Sequence, residues 1–115
     1  MIAPFVVWAF LAFPPCTITG TEGPDFIIGT PRADVICTLG GNDIIDGNAG
    51  NDVIISGAGR DRVDPGPGRD RVYLGAGNDS VEAAERVGDW LYGGPGIDWV
   101  HKDRYDRITG FERVV

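Results

Sequence analysis

The feature that most constrains the fold of this chain is an aspartate that recurs every nine residues. The series runs without a slip from Asp25 to Asp79, and two further members follow after gaps of ten and nine residues. A short, fixed period of this kind is typical of a solenoid, in which each repeat is one small structural unit. The series comprises Asp25, Asp34, Asp43, Asp52, Asp61, Asp70, Asp79, Asp89 and Asp98.

Each of these aspartates has the same kind of neighbours. An aliphatic residue follows two positions later in all nine repeats, and a glycine stands two positions earlier in seven of them. A glycine-rich turn therefore alternates with a short D-x-U strand, where U is the aliphatic residue. The aliphatic residues are Ile27, Ile36, Ile45, Ile54, Val63, Val72, Val81, Leu91 and Val100, and the glycines are Gly23, Gly41, Gly50, Gly59, Gly68, Gly77 and Gly96.

One such unit buries almost nothing by itself, so its stability must come from stacking on its neighbours. Two units complete one coil, which places successive strands in two different parallel sheets and each turn beside the turn eighteen residues away. We therefore predict an all-β fold, a right-handed parallel β-roll with two sheets of short strands. The segment Ala83–Gly88 departs from the repeat. It predicts a bulge or a short helical insert, which makes a metal site at Asp89 doubtful.

Stacked turns bring the aspartates into rows, and this arrangement requires a cation. Two carboxylates about 5 Å apart repel by roughly 3 kcal/mol at an effective dielectric constant near 20, which a small domain cannot absorb many times over. The turns offer hard carboxylate and carbonyl oxygens without His or thiolate, which suits several calcium ions better than magnesium with its stricter octahedron. Asp and Gly are also common turn residues, but that reading does not explain nine repeats in register.

Composition argues against two other functions. The formal charge is −7, and the ten basic residues form no cluster that could follow a phosphate backbone, so we expect no nucleic acid partner. The chain has one histidine, His101, and no G-x-S-x-G or H-E-x-x-H motif. Paired carboxylates occur only as members of the repeat. We therefore expect that the chain is not an enzyme.

Residues 1–15 are apolar, carry no charged side chain and are too short to span a bilayer. They resemble the apolar region of a signal peptide, and a buried N-terminal segment is the alternative. We expect a secreted protein whose mature chain has no membrane span and whose single domain covers residues 16–115. Cys16 and Cys37 are the two cysteines. In a small exported domain such a pair is more often a disulfide than two free thiols.

The repeats resemble the RTX (repeats-in-toxin) calcium-binding family, whose nonapeptide is G-G-x-G-x-D-x-U-x. The clearest copies are residues 93–100, GGPGIDWV, and residues 47–54, GNAGNDVI. The resemblance implies that calcium lies between turns two repeats apart, held by aspartate carboxylates and backbone carbonyls. It assigns the metal site to Asp25, Asp34, Asp43, Asp52, Asp61, Asp70, Asp79 and Asp98 with Gly41, Gly50, Gly59, Gly68, Gly77 and Gly96.

Within this set the resemblance favours some pairs over others. The best pairs are Asp43 with Asp61, Asp52 with Asp70, and Asp61 with Asp79. The pair of Asp34 with Asp52 is weakened by Arg32 in place of a turn glycine, and that of Asp25 with Asp43 by Thr38 and Leu39. The resemblance also implies that Cys16 and Cys37 bridge the first coils, and that a cap beginning at about residue 101 closes the roll with the strands of residues 106–114.

Two alternatives to a free-standing calcium-binding module remain open. RTX repeats often serve as accessory domains of exported enzymes or toxins. An adhesin-like module is the other alternative, because the outward positions of one sheet form an apolar and aromatic strip. That strip predicts a protein or glycan partner, or coverage by the N-terminal segment. Its residues are Val35, Cys37, Val53, Ile55, Arg71, Tyr73, Trp90 and Tyr92.

Overall fold

The computed structural model describes residues 15–115. The predicted signal-like segment, residues 1–15, lies outside the described residues except for Pro15. The described part of the chain forms strands and turns without a helix. It accordingly contains no helix that is long and apolar enough to cross a membrane.

The strands are two to four residues long, and each begins directly after a turn. In chain order they are β1 (Ile18–Thr19), β2 (Phe26–Ile28), β3 (Val35–Cys37), β4 (Ile44–Asp46), β5 (Val53–Ile55), β6 (Arg62–Asp64), β7 (Arg71–Tyr73), β8 (Ser80–Ala83), β9 (Trp90–Tyr92), β10 (Trp99–Lys102), β11 (Arg107–Thr109) and β12 (Arg113–Val114). The odd-numbered strands form one sheet, here the first sheet, and the even-numbered strands form the second sheet.

All strand pairs in both sheets are parallel, and the register places each core residue over its equivalent one coil away. Ile36 pairs with Ile54 in the first sheet, and Ile45 pairs with Val63 in the second. The predicted all-β fold, a β-roll with two parallel sheets, is thus confirmed. Its principal extents are 44 × 30 × 24 Å.

The core is a double ladder of the aliphatic residues. The middle residue of each strand points inward, because alternate side chains of a strand face opposite sides of the sheet. The aliphatics from Ile36 to Val100 are 3 % exposed or less. One detail differs from the expected D-x-U strand: the aspartate ends the turn, and the aliphatic residue stands at the centre of a strand that begins one residue later.

The irregular segment before Asp89 does not break the roll. Residues 84–88 form no helix, so a short helical insert is excluded, and the turn between β8 and β9 (84–89) is as long as the regular turn between β7 and β8 (74–79). The additional residue lengthens β8 to four residues, buries Ala83 and pairs it with Lys102 of β10. Leu91 consequently stays in register with Val72.

The closing strands predicted from the family resemblance are present. Strand β11 continues the first sheet, with Ile108 over Leu91, and β12 continues the second, with Val114 over Val100. The regular rung of β10 extends to Lys102, so the closing segment starts just beyond residue 101. The end of the roll is therefore built from two further, shorter rungs.

The outer faces of the two sheets differ from the expected distribution of exposed apolar surface. The first sheet has the more apolar composition on its outer face, but its side chains Val35, Val53 and Ile55 are half-buried and not fully exposed. Among the strand residues, the most exposed large apolar side chains are Phe26 at 70 % and Ile28 at 58 %, and both lie instead on the second sheet. The aromatic residues of the first sheet therefore form its most distinctive surface.

The first coil is closed by a covalent bond. Cys16 and Cys37 form a disulfide with a Cα–Cα distance of 5.9 Å, as the sequence predicts. Cys37 pairs with Thr19 across the sheet, so Cys16 lies three residues ahead of the ladder position. The bridge forms because the chain before β1 leaves the regular coil, while Thr17 donates its backbone N–H to the Val35 carbonyl at 2.8 Å.

We expect the disulfide to stabilise the first coil selectively. Strand β1 pairs with β3 alone, and a crosslink across 21 residues restricts the unfolded chain by an amount worth about 3 kcal/mol. Replacing both cysteines by serine should therefore expose the amides of residues 16–37 to hydrogen exchange in calcium, while residues 47–81 keep their protection. Loss of protection throughout the roll would show instead that the bridge is needed for the whole fold.

Candidate metal centre

The turns of the roll place acidic side chains in two rows, one along each long edge. Row one precedes the strands of the first sheet, and row two precedes those of the second. Because one residue type recurs at the end of each turn, every coil adds one carboxylate to each row. Row one consists of Asp34, Asp52, Asp70, Asp89 and Asp106, and row two of Asp25, Asp43, Asp61, Asp79, Asp98 and Glu112.

Within each row, one carboxylate oxygen links two coils. The backbone N–H of Asp43 donates to Oδ1 of Asp61 at 2.9 Å, and the N–H of Asp52 donates to Oδ1 of Asp70 at 2.7 Å. All the pairs predicted at eighteen residues form this contact, including the weakened pairs that begin at Asp25 and Asp34. Each link holds the next aspartate inside the turn, and the row members from Asp43 to Asp98 are 2 % exposed or less.

The second oxygen of the interior aspartates has no partner. Among residues 15–115, seven aspartate Oδ2 atoms are buried without a hydrogen bond. A buried acceptor that is left unsatisfied costs about 1–3 kcal/mol, and a charged one costs more. The aspartates concerned are Asp43, Asp52, Asp61, Asp70, Asp79, Asp89 and Asp98.

Burial changes the acidity of these carboxyl groups. It raises the pKa of Asp52 and of Asp61 to about 6, that of Asp79 to about 7, and that of Asp70 to about 8. The hydrogen bond from the backbone N–H one coil earlier opposes the shift, and repulsion from adjacent carboxylates adds to it. Without a bound cation, these four carboxyl groups therefore hold their protons to higher pH than free carboxyl groups do, and Asp70 holds its proton to the highest pH.

Backbone carbonyls lie close to the unpartnered oxygens. A Cβ atom placed on Gly47 would lie 3.0 Å from Oδ2 of Asp52 and 2.4 Å from the carbonyl oxygen of Pro65, one coil later. The turn at Gly93 repeats this arrangement with Oδ2 of Asp98 at 2.8 Å and the carbonyl oxygen of Gly110 at 2.2 Å. These positions form oxygen-lined cradles that a side chain would fill.

The six glycines assigned to the site by the sequence have a common backbone role. At Gly59 the φ angle is +115°, and a Cβ atom would lie 2.1 Å from the carbonyl oxygen of Gly41. Only glycine allows this left-handed conformation together with such a close approach of two turns. Positive φ angles and contacts of 2.6 Å or less recur at Gly41, Gly50, Gly59, Gly68, Gly77 and Gly96.

The donor set fits calcium. No group of three His, Cys, Asp or Glu side chains converges within the part of the chain that the structure describes, so side chains alone do not enclose an ion there. A carboxylate combined with backbone carbonyls supplies the hard, adaptable oxygen ligands that calcium prefers. A cation at the unpartnered Oδ2 atoms would replace their missing hydrogen bonds and neutralise the rows.

The first carboxylate of each row has hydrogen-bond partners for both of its oxygens without a metal. Thr21 donates its backbone N–H to Oδ2 of Asp25 at 2.7 Å and its hydroxyl to Oδ1 at 2.9 Å. Thr30 makes the same two contacts with Asp34. We infer that the first turns need calcium less than the interior turns do. These threonines, which the sequence reasoning did not weigh, give a more direct reason than the missing glycines.

Three acidic residues of the rows, Asp89, Asp106 and Glu112, and one beside them were not predicted as ligands from the sequence. A metal site at Asp89 was expected to be doubtful, yet Asp89 is fully buried, accepts the N–H of Asp70 and donates its own N–H to Asp106. Glu112 ends row two by accepting the N–H of Asp98 at 2.9 Å. Glu85 of the turn before Asp89 buries an unpartnered Oε2, and burial raises its pKa to about 7. The acidity of the irregular segment and of the closing strands was the available signal.

A solved structure shares this architecture. It is the solution structure of the AlgE6R3 subunit from the Azotobacter vinelandii mannuronan C5-epimerase, with a TM-score of 0.56 and 30 % sequence identity. The similarity covers 70 % of this chain and 52 % of that one, so this chain spans about half of its length. No curated protein sequence matches the chain significantly.

The family comparison agrees with the geometry of the rows. The model of the RTX calcium-binding nonapeptide repeat matches residues 19–54, 28–63, 38–72, 47–81 and 88–101. These matches cover more than half of the chain, and they are interrupted at residues 82–87, before Asp89. The chain therefore belongs to the RTX calcium-binding nonapeptide-repeat family.

Proposed function

We propose that this chain is a calcium-dependent structural and binding module of an exported protein, which folds as calcium occupies the two rows. The observation that carries the proposal is the set of seven buried, unpartnered Oδ2 atoms. An isolated chain must either protonate these groups, leave them charged and buried, or remain unfolded. Calcium removes this conflict, because one ion both neutralises the carboxylate charge and coordinates the unpartnered oxygen.

The energetic scale supports folding that is coupled to calcium. A ligand that binds only the folded state at about 100 times its Kd stabilises that state by about 2.7 kcal/mol per site. Extracellular RTX-like sites with millimolar affinity would respond to calcium outside the cell and not to the far lower concentration inside it. The disulfide of the first coil is also consistent with an oxidising, extracellular environment.

We further propose that the module has no catalytic site of its own. In the interior of both rows one carboxylate oxygen links two coils and the other is the proposed calcium ligand, and His101 pairs with Glu82 on the exposed face of the second sheet. A general acid or nucleophile must be able to reach a substrate, whereas these carboxylates face the neighbouring turns of the roll. The chemistry on this chain is that of cation binding.

An accessory role within an exported enzyme is the second candidate. It is favoured by the similarity to a subunit of a mannuronan C5-epimerase, a protein that is itself named for an enzymatic activity. The intact mass of the protein recovered from its producing cells distinguishes the two roles. A mass of about that of this chain supports an independent module, and a much larger mass supports the accessory role.

Calcium should convert the chain from a largely disordered state to a β-rich one. Circular dichroism at pH 7.5, followed during a calcium titration from excess chelator, should show a cooperative gain of β signal. Magnesium at the same concentration is the control and should produce much less β signal, because its octahedral preference suits these flexible turns poorly. A full β spectrum in chelator would contradict the coupling of folding to calcium.

Substitution of a row aspartate should weaken calcium binding more at an interior position than at the end of a row. We expect Asp61→Asn and Asp89→Asn each to weaken calcium binding by roughly tenfold, because each removes a charged ligand while keeping the side-chain volume. The matched control is Asp25→Asn, which should weaken binding less than about threefold because Thr21 already satisfies both oxygens. Titration calorimetry measures all three. A normal affinity for Asp89→Asn would place that residue outside the calcium ladder.

A further inference from the structure

The outer face of the first sheet differs in charge from the rest of this acidic protein. Its outward positions in the strands from β3 to β11 include no Asp or Glu, whereas the second sheet presents Asp46, Asp64 and Glu82. Arg71 and Arg107 are both exposed on the first sheet. In a chain of formal charge −7, this face is therefore locally basic.

The two arginines flank a tryptophan. The guanidinium carbon of Arg71 lies 4.7 Å from the centre of the Trp90 ring, and that of Arg107 lies 5.9 Å from it. Trp90 stands on the strand between those of the two arginines, so neighbouring rungs produce the stack. Beside it, Tyr73 and Tyr92 stack with ring centres 4.8 Å apart and an interplanar angle of 2°. We call these five residues the aromatic–arginine face.

The guanidinium groups of this face retain their hydrogen-bonding capacity. Within residues 15–115, neither Arg71 nor Arg107 forms an ion pair or a side-chain hydrogen bond. Stacking on Trp90 uses the flat face of a guanidinium and leaves its in-plane N–H donors available for a carboxylate. Arg71 and Trp90 also line an open hollow of about 380 Å³, whose other walls include Arg69, Val53 and the row-one aspartates Asp52 and Asp70. The face thus combines hydrogen-bond donors with a concave edge.

We propose that the aromatic–arginine face binds an acidic polysaccharide, with Arg71 and Arg107 holding sugar carboxylates. The charge of the face is complementary to such a polymer, and neighbouring strands of a sheet lie about 4.8 Å apart, which is close to the length of one pyranose unit. The two arginines lie two rungs apart, roughly 10 Å. An extended ribbon of uronate sugars presents alternate carboxylates to one side, so it can meet both arginines. The proposal goes beyond calcium binding.

Two other polyanions fit this face less well. Nucleic acid would need free aromatic faces for base stacking, but Tyr73 covers Tyr92, and two guanidinium groups flank Trp90. The net charge of the chain also opposes a dense phosphate backbone. An extended acidic peptide presents side chains to one side about every 6.6 Å, which does not match the rung spacing.

The test uses the calcium-loaded protein and a short oligogalacturonate as the probe. We expect its binding to shift the indole N–H resonance of Trp90 and to leave that of Trp99, on the opposite sheet, unchanged. The variant R71Q/R107Q should bind the probe roughly tenfold more weakly. The charge-matched control R62Q/R113Q removes two arginines from the second sheet, including one that lies 4.9 Å from the Trp99 ring, and should bind normally.

Several outcomes would overturn the proposal. Equal loss of binding in both double variants would indicate an effect of net charge alone. Binding of a methyl-esterified oligogalacturonate as tight as that of the free acid would remove the arginine–carboxylate contact. Tighter binding of polyglutamate or of a single-stranded oligonucleotide would assign the face to another class of partner. A normal calcium-induced circular dichroism spectrum for each variant excludes misfolding as the cause.

Discussion

The structure depends on the hydrogen bond from one aspartate N–H to the carboxylate of the aspartate one coil later. This bond recurs along both rows, at 2.7–2.9 Å from Asp34 to Asp106 and from Asp25 to Glu112. It sets the vertical alignment of the turns, which in turn places each aliphatic residue over its equivalent in the core. The same bond holds the other carboxylate oxygen inside the turn, where it is removed from water. The contact that orders the roll therefore also creates the demand for a cation.

This demand is distributed unevenly along the roll. The first coil has its own means of stability, since the disulfide closes it and threonine hydroxyls satisfy Asp25 and Asp34. At the other end, Asp106 accepts the N–H of Asp103, and Glu112 closes row two. The unpartnered oxygens lie between these ends. We therefore propose that the ends act as metal-independent templates and that the interior coils become ordered only when calcium is present.

Much of this architecture follows from the nine-residue period. The period predicts two parallel sheets, the inward aliphatic ladder and the turn glycines, because each depends only on the register between equivalent residues. The irregular segment before Asp89 is harder to predict. One additional residue ahead of Asp89 looks like a break in the repeat, but it is absorbed as a fourth residue of β8. Spacing alone does not reveal where a chain takes up an additional residue, since that depends on the space beside the neighbouring strand.

The closing residues and the surface show a second limit. Glu112 follows Asp98 by fourteen residues and has a longer side chain, so neither its type nor its spacing matches the repeat that it completes. The stack of Arg71 and Arg107 on Trp90 depends on the packing of side chains from three adjacent strands. The sequence predicts an aromatic strip there, but the pairing of cations with the rings requires three-dimensional coordinates.

The most direct measurement of the central claim is the β content of the calcium-free protein as a function of pH. Burial raises the pKa of Asp52, Asp61, Asp79 and Asp70 to between about 6 and about 8, above the ordinary value of 3.8 that the unfolded chain retains. The folded state therefore takes up protons first, so its stability should increase as the pH falls from about 8 towards about 4. In excess chelator, circular dichroism should show β structure appearing on acidification through this range and disappearing again on return to pH 8. A β signal that stays constant or decreases on acidification in this range would contradict the claim that buried carboxylates prevent folding until they are neutralised.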